Sequence, residues 1–292
     1  MSDTTRLTAD GHSIWHTQLG RLSWPILSYI ALTALAIVTM IPIAWMFLTA
    51  FKSPAEVAAS PPTWFPQEWH PENFQAAWNV APFGQYLLNT AFMAGGVMLI
   101  ETLTSALAAY AFARLHFKGR DLLFLLYLGT LMIPRQVTII PLFILMRDLH
   151  WVDTWQGLIL PQSFSAFGTF LLRQFFLTIP HELEEAARID GASRFGCFTR
   201  IILPLSGPAL ATLAVFIFLF QWNNLLWPLV ISNSAATRPI AVGLRSFLGQ
   251  YGTEWNLLMA AATLATVPVV ALYLLAQRWF VRGIALSGMG GR

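Results

Sequence analysis

The sequence predicts an all-α membrane protein of six transmembrane helices, with a charged cytoplasmic helix between the fourth and the fifth. Three observations carry this. Of 292 residues, 56% are hydrophobic and 11% charged, with a mean hydropathy of +0.60, whereas a soluble domain carries about 25% charge. Six apolar runs are each long enough to cross the hydrocarbon, which takes about 20 helical residues. None shows the two-residue alternation of a barrel strand, and helices and closed barrels are the only backbones that satisfy their own hydrogen bonds in lipid.

Residues 1–23 are polar, carry Arg6 and Arg21, and read as a cytoplasmic N-terminal tail. His12 and His16 lie one helical turn apart, but no further metal ligand is near them in sequence. The run 25–48 has no charge. It exceeds the apolar core of a signal peptide, about 7–15 residues, and reads as a retained first span of a six-helix domain over residues 24–282. Residues 51–85 form a polar, proline-rich loop punctuated by Trp64, Trp69 and Trp78, residues that suit the headgroup zone. Two roles are open for it: a membrane-surface segment, or part of a landing surface for an external protein. The remaining spans fall at about 86–112, 122–146, 155–176, 208–230 and 257–280, with a cytoplasmic loop at 177–205 and a cytoplasmic tail at 283–292.

Orientation follows from the basic residues. Arg6, Arg21, Arg114, Lys118, Arg120, Arg173, Arg188, Arg194, Arg200, Arg278, Arg282 and Arg292 fall on one side. Lys52, Arg147, Arg238 and Arg245 fall on the other. Twelve against four places both termini and the 177–205 loop in the cytoplasm. The net charge of +3 is small and the basic residues are scattered, which argues against a nucleic-acid partner. The single Cys197 excludes an intramolecular disulfide and reads as a small filler. Catalysis finds no machinery: G-x-x-x-x-G-K-[ST], H-E-x-x-H and G-x-S-x-G are all absent.

Glu101 and Arg135 lie within spans, where ionisable groups are costly and face a partner or a cavity. They sit at similar depths. Either they pair across the second and third helices, or each separately faces water or another subunit. Pro134, Pro141, Pro161, Pro228 and Pro268 each bend a helix or free a carbonyl. Gln221, Trp222, Asn223 and Asn224 form a polar, aromatic cluster in the fifth span. Such a cluster serves interhelical hydrogen bonding, or it lines a sugar path, the ring stacking on C–H faces and the amides taking hydroxyls.

The segment 182–204 is the longest charged stretch between long apolar ones. Pro180 and three acids, Glu182, Glu184 and Glu185, suit a helix start, and Asp190-Gly191 suits its stop. Leu183, Ala186, Ala187 and Asp190 follow helical spacing along one mostly small side. Ser193 caps a second helix over 194–202 that ends before Pro204. By composition alone this is a solvated charge run. The order Glu185-Ala186-Ala187, three residues, Gly191, nine residues, then Ile201-x-Leu203-Pro204 resembles the EAA signature of membrane subunits of binding-protein-dependent ABC importers. Residues 108–114, 132–141, 170–180, 221–229 and 249–255 resemble the maltose-type, carbohydrate-uptake branch, and of its two permease subunits the second.

That resemblance implies an EAA-type coupling helix fitting a cleft in a separate ATPase, with Glu182, Glu184, Glu185, Ala186, Ala187, Asp190, Gly191, Ala192, Leu203 and Pro204 as coupling residues. Glu185 would make polar contact and Gly191 the tight turn. It implies a heterodimer with a second permease subunit, two ATPase subunits that bind the ATP and Mg, a periplasmic or lipid-anchored solute-binding protein, and no cofactor in this chain. Gln221, Trp222, Asn223, Asn224, Glu101 and Arg135 are its candidate translocation-pathway residues. Arg135 stands where the family is expected to carry a small residue, and Asn224 where it is expected to carry an acid. The alternatives are a secondary carrier driven by an ion gradient, with Glu101 as its proton site, and an ABC permease for a non-sugar solute.

Overall fold

The computed structural model describes residues 11–249 and 252–288. Helix α1 (Gly11–Thr49) opens it, so the backbone is already helical within the stretch expected to be a tail. The side chains of His12 and His16 lie outside the described residues, as do residues 1–10 and the last four of the C-terminal tail. There follow α2 (Pro54–Val57), α3 (Glu72–Val80), α4 (Phe83–Arg114), α5 (Arg120–Gly129), α6 (Arg135–Asp148), α7 (Trp155–Ile159) and α8 (Ala166–Leu177). Then come α9 (Glu182–Ile189), α10 (Arg194–Cys197), α11 (Leu203–Leu205), α12 (Gly207–Trp222), α13 (Leu226–Ile231) and α14 (Ile240–Gly243). A two-stranded hairpin, β1 (Leu248–Gly249) with β2 (Gly252–Thr253), precedes α15 (Trp255–Gly288). The all-α expectation thus acquires one minimal antiparallel pair.

Three helical stretches are long and apolar enough to cross a membrane unbroken: Ile26–Thr49, Phe83–Arg114 and Trp255–Leu275. The three other expected spans are interrupted. The third consists of α5 with a 3-10 turn (Thr130–Met132), then α6, the two halves meeting at 97°. Pro134 is the cause: it disfavours helical geometry at the residue before it, and Ile133 is extended at φ −84°, ψ 113°. The fourth breaks around Pro161 into α7, a 3-10 turn (Leu160–Gln162) and α8, whose start is capped by Ser165 accepting from the Gly168 N–H at 3.1 Å. The fifth ends at Trp222 and resumes at Leu226.

Helix α4 is the axis of the bundle, with α8 and α12 packed along it. Small residues permit the approach. A Cβ on Gly168 would lie 2.6 Å from Ser105 Oγ, and one on Gly96 2.9 Å from Ile159 Cδ1. Close backbone approach of this kind is how membrane helices gain van der Waals contact. Met93, Val97, Leu172, Phe176, Leu213 and Ile217 are buried in the resulting core. A second core lies toward the Phe83 end of α4, from Ala50, Ala77, Tyr86, Ile240, Phe247 and Ala260.

The proline-rich 51–85 segment is a folded cap rather than a loose loop. The Lys52 ammonium is buried, donates to the Thr63 carbonyl and lies 4.5 Å from the Trp45 ring centroid. The Asn73 amide donates to the Ala50 and Lys52 carbonyls at 3.0 and 2.9 Å, and its oxygen accepts from Asn256 of α15 at 3.3 Å. A clip forms at the same end. Asp153, at φ 58°, accepts from the Asn233 and Ser234 N–H groups at 2.9 and 3.1 Å and from the Thr237 hydroxyl. Burial pushes the Asp153 carboxyl up, but these hydrogen bonds together outweigh it and hold the pKa at about 2. From the other side Asn89 donates to the Ala235 and Arg238 carbonyls at 3.0 and 2.9 Å.

Candidate functional site

At the Arg114 end of α4 the chain folds the charged segment against the bundle. Helix α9 begins at Glu182, with His181 rather than Pro180 before it, and carries Glu182, Glu184 and Glu185 in its first turn. It stops in a Schellman arrangement: the Ala192 N–H donates to the Ala187 carbonyl at 2.8 Å and the Gly191 N–H to the Arg188 carbonyl at 3.1 Å. Gly191 adopts φ +84°, with nothing among the described residues within 4 Å of where a Cβ would stand. Glycine is required there by backbone conformation alone, not by crowding.

Ser193 caps the next helix, its Oγ accepting from the Gly196 N–H at 3.1 Å. The helix expected to end before Pro204 instead runs on, through a π turn (Phe198–Ile202) into α11, and bends 78° into α12. The wider turn makes room for the Pro204 ring, which would otherwise meet the carbonyl one turn back.

The three first-turn acids part company. Glu182 and Glu185 are exposed, while Glu184 turns inward and is buried. Its Oε1 lies 3.1 Å from Arg114 Nε, a charge contact without the alignment of a hydrogen bond. The Tyr110 hydroxyl lies 3.2 Å from Glu184 Oε2 and 3.0 Å from the Arg194 carbonyl, so its single proton serves both. Arg114 also meets His181 Nδ1 at 2.9 Å and donates to the Phe176 and Ile179 carbonyls, the latter at 2.5 Å. One guanidinium therefore binds the end of α4, the end of α8 and the start of α9. Cys197 packs buried behind Glu184.

The outward face of α9 and the turn after it carries Glu182, Leu183, Glu185, Ala186, Ile189, Asp190 and Gly191, with Phe195 beyond. Ile189 is 86% exposed and Phe195 66%, large apolar surfaces on a charged segment. Ala187, Ala192 and Leu203 are half-buried, and Pro204 is exposed. The sequence reading missed Arg114, Tyr110 and His181. Its only signal was that a charge, Arg114, closes the apolar run 108–114.

Within the bundle, Glu101 is buried beside Ser165 and feels the charge of Arg135. Yet the two do not form an ion pair among the described residues. Arg135 is exposed, 3.4 Å from Gln162 Oε1 and 4.9 Å from the Phe220 ring centroid. The cluster at the end of α12 is divided. Trp222 is buried and donates to the Ala265 carbonyl of α15 at 3.2 Å. Gln221 is buried and accepts from the half-buried Asn224 at 2.9 Å. Asn223 is exposed, its amide returning to the Leu219 carbonyl at 2.9 Å. Among the described residues no three His, Cys, Asp or Glu side chains converge on a point where a metal would sit.

Comparison with known proteins gives a match over residues 101–286 to the family described as "Binding-protein-dependent transport system inner membrane component". The chain is 41% identical over 256 residues to the sn-glycerol-3-phosphate transport system permease protein UgpE of Yersinia enterocolitica, covering 85% of this chain and 91% of that one. It is 35% identical over 277 residues to the arabinooligosaccharides transport system permease protein AraQ of Halalkalibacterium halodurans, covering 93% and 99%. Among solved structures it superposes on a chain of a bacterial ABC transporter involved in the import of the acidic polysaccharide alginate. The TM-score is 0.77 at 22% identity, over 94% of this chain and all of the other, a likeness of fold.

Proposed function

Because this chain belongs to the family of binding-protein-dependent transport system inner membrane components, we propose that its cargo is a sugar or sugar derivative. It is the permease subunit of an ABC importer, a transport subunit rather than an enzyme. The ion-gradient carrier with Glu101 as its proton site gives way to that membership. Relatives named for sn-glycerol 3-phosphate and arabinooligosaccharides support the cargo class.

The chain works as one half of a permease heterodimer, with two ATPase subunits that bind ATP and Mg and a periplasmic or lipid-anchored binding protein. It carries no cofactor of its own. It crosses the cytoplasmic membrane six times, α7 with α8 forming the fourth crossing, and both termini lie in the cytoplasm. The lysine and arginine asymmetry supports that orientation.

The observation that carries the coupling role is the division of α9. Its outer face of acids, Ala186 and Ile189 is free for a partner, while Glu184 and Arg114 fasten its inner face to α4 and α8. ATP closes the ATPase dimer, α9 moves with it, and the clamp passes that displacement to the bundle. Gln221, Trp222, Asn223, Asn224, Glu101 and Arg135 remain the pathway set, with Arg135 and Asn223 its exposed members. The test is purification of the whole importer in detergent. Glu185→Lys and Gly191→Pro should lose the ATPase subunits, and wild-type recovery from both variants would overturn the docking role.

A further inference from the structure

Arg135 is placed unlike any other basic residue whose side chain is among the described residues. It opens α6, immediately after the break that divides the third span, so the chain offers a guanidinium at the point within the membrane where its backbone is interrupted. The side chain is exposed on this subunit. A guanidinium has five N–H donors and no acceptor. Here its hydrogen-bonding neighbour is Gln162 Oε1 at a long 3.4 Å, and the Phe220 ring lies against it at 4.9 Å. No carboxylate lies within ion-pair distance among the described residues. Glu101 is buried beside Ser165.

A cation held at membrane depth without a matched partner is unfavourable and is retained where it faces a pathway or a counter-ion. The planar fork of a guanidinium matches an oxyanion, phosphate or carboxylate, with two parallel hydrogen bonds. The surroundings suit the rest of such a molecule. Phe220 is 56% exposed and offers an apolar face, and Asn223, one turn on and also exposed, offers an amide to hydroxyls. We propose that Arg135 reads the charge of the cargo during passage, and that the cargo is an anionic sugar derivative bearing a phosphate or a carboxylate. This rests on the importer reading above and names the substrate class within it.

The test uses the assembled importer with its binding protein in proteoliposomes. The anionic probes are sn-glycerol 3-phosphate and galacturonate, and the neutral ones galactose and arabinotriose. Vanadate-sensitive uptake of an anionic probe is expected. It should fall about tenfold or more in Arg135→Gln, as for the loss of a charged hydrogen bond, with Arg135→Lys intermediate. Both variants should co-purify with the second permease subunit and the ATPase subunits, showing that assembly is intact. Preferential uptake of a neutral probe would overturn the anion assignment and leave the sugar-importer reading standing. Equal anionic uptake by wild type and Arg135→Gln would overturn the role of Arg135. If Arg135→Gln sheds the second permease subunit on purification, the counter-charge belongs to that subunit and the proposal fails. Uptake of no probe, anionic or neutral, would count against the sugar-importer reading itself.

Discussion

Arg114 and Glu184, seventy positions apart in the chain, meet at 3.1 Å with side chains 1% and 9% exposed. The contact joins the last residue of α4 to the first turn of α9. A buried ion pair adds little over a well-packed apolar substitute, but removing one partner leaves a desolvated charge and costs about 3–5 kcal/mol. Glu184→Ala should therefore destabilise the subunit far more than Glu185→Ala, read as thermal unfolding in detergent. Glu184→Gln, which keeps an acceptor for the Tyr110 hydroxyl, should cost less than Glu184→Ala. Equal effects of the two glutamates would contradict the inward and outward assignment.

Gly191 tests conformation without sterics. At φ +84° with open space around its Cβ position, Gly191→Ala should cost about 1–2 kcal/mol, the left-handed penalty for an L-residue. Gly191→Asn should cost less, since asparagine visits that region more readily. Protease sensitivity of the segment after α9 reads the difference. Identical Ala and Asn variants would mean that the turn relaxes to another geometry.

The α4–α8 contact should behave as a matched pair. Gly168→Ala drives its new methyl to 2.6 Å from Ser105 Oγ and should lower detergent stability by about 1–3 kcal/mol, the range for overpacking. Ser105 Oγ is buried without a hydrogen-bond partner among the described residues, so Ser105→Ala alone should be neutral or mildly stabilising. Gly168→Ala/Ser105→Gly should restore most of the loss. Simple additivity would mean that the two sites do not share the space.

The Asp153 clip should respond to pH in one direction. Its folded pKa, about 2, lies below the ordinary carboxylate value, so its contribution is fully present above about pH 4. It is lost as pH falls toward 2. Hydrogen exchange of the 232–238 backbone should be unaffected by the clip between about pH 8 and 5, once the intrinsic exchange rate is divided out, and should quicken below about pH 4. Asp153→Asn keeps a residue tolerant of φ 58° and one acceptor. It should loosen the segment at neutral pH and remove the acid response.

The unbroken apolar helices were legible because an apolar run in lipid has no other backbone open to it, and α1, α4 and α15 answer to run length. The stop of α9 and the start of α10 were legible too, since Gly191 and Ser193 are local signals acting within a turn. The interruptions were only half legible. Pro134 and Pro161 forecast bends, but the 97° turn also needs neighbours that pack each half separately. Which of three adjacent glutamates faces inward was not legible at all. Periodicity in a short helix with small residues on its apolar side does not say where Arg114 waits, and that choice is made by a residue from another helix. For the Trp222 and Gln221 cluster the partners were not legible for the same reason: their polar atoms point to α15 and Asn224, contacts between elements distant or broken in the chain.

The division of the third expected span has a mechanical corollary. Two rods joined at 97° do not act as one piston, since a thrust along α5 has almost no component along α6. Cytosolic motion reaching that joint would emerge as a sideways swing of α6, not as a push along its axis.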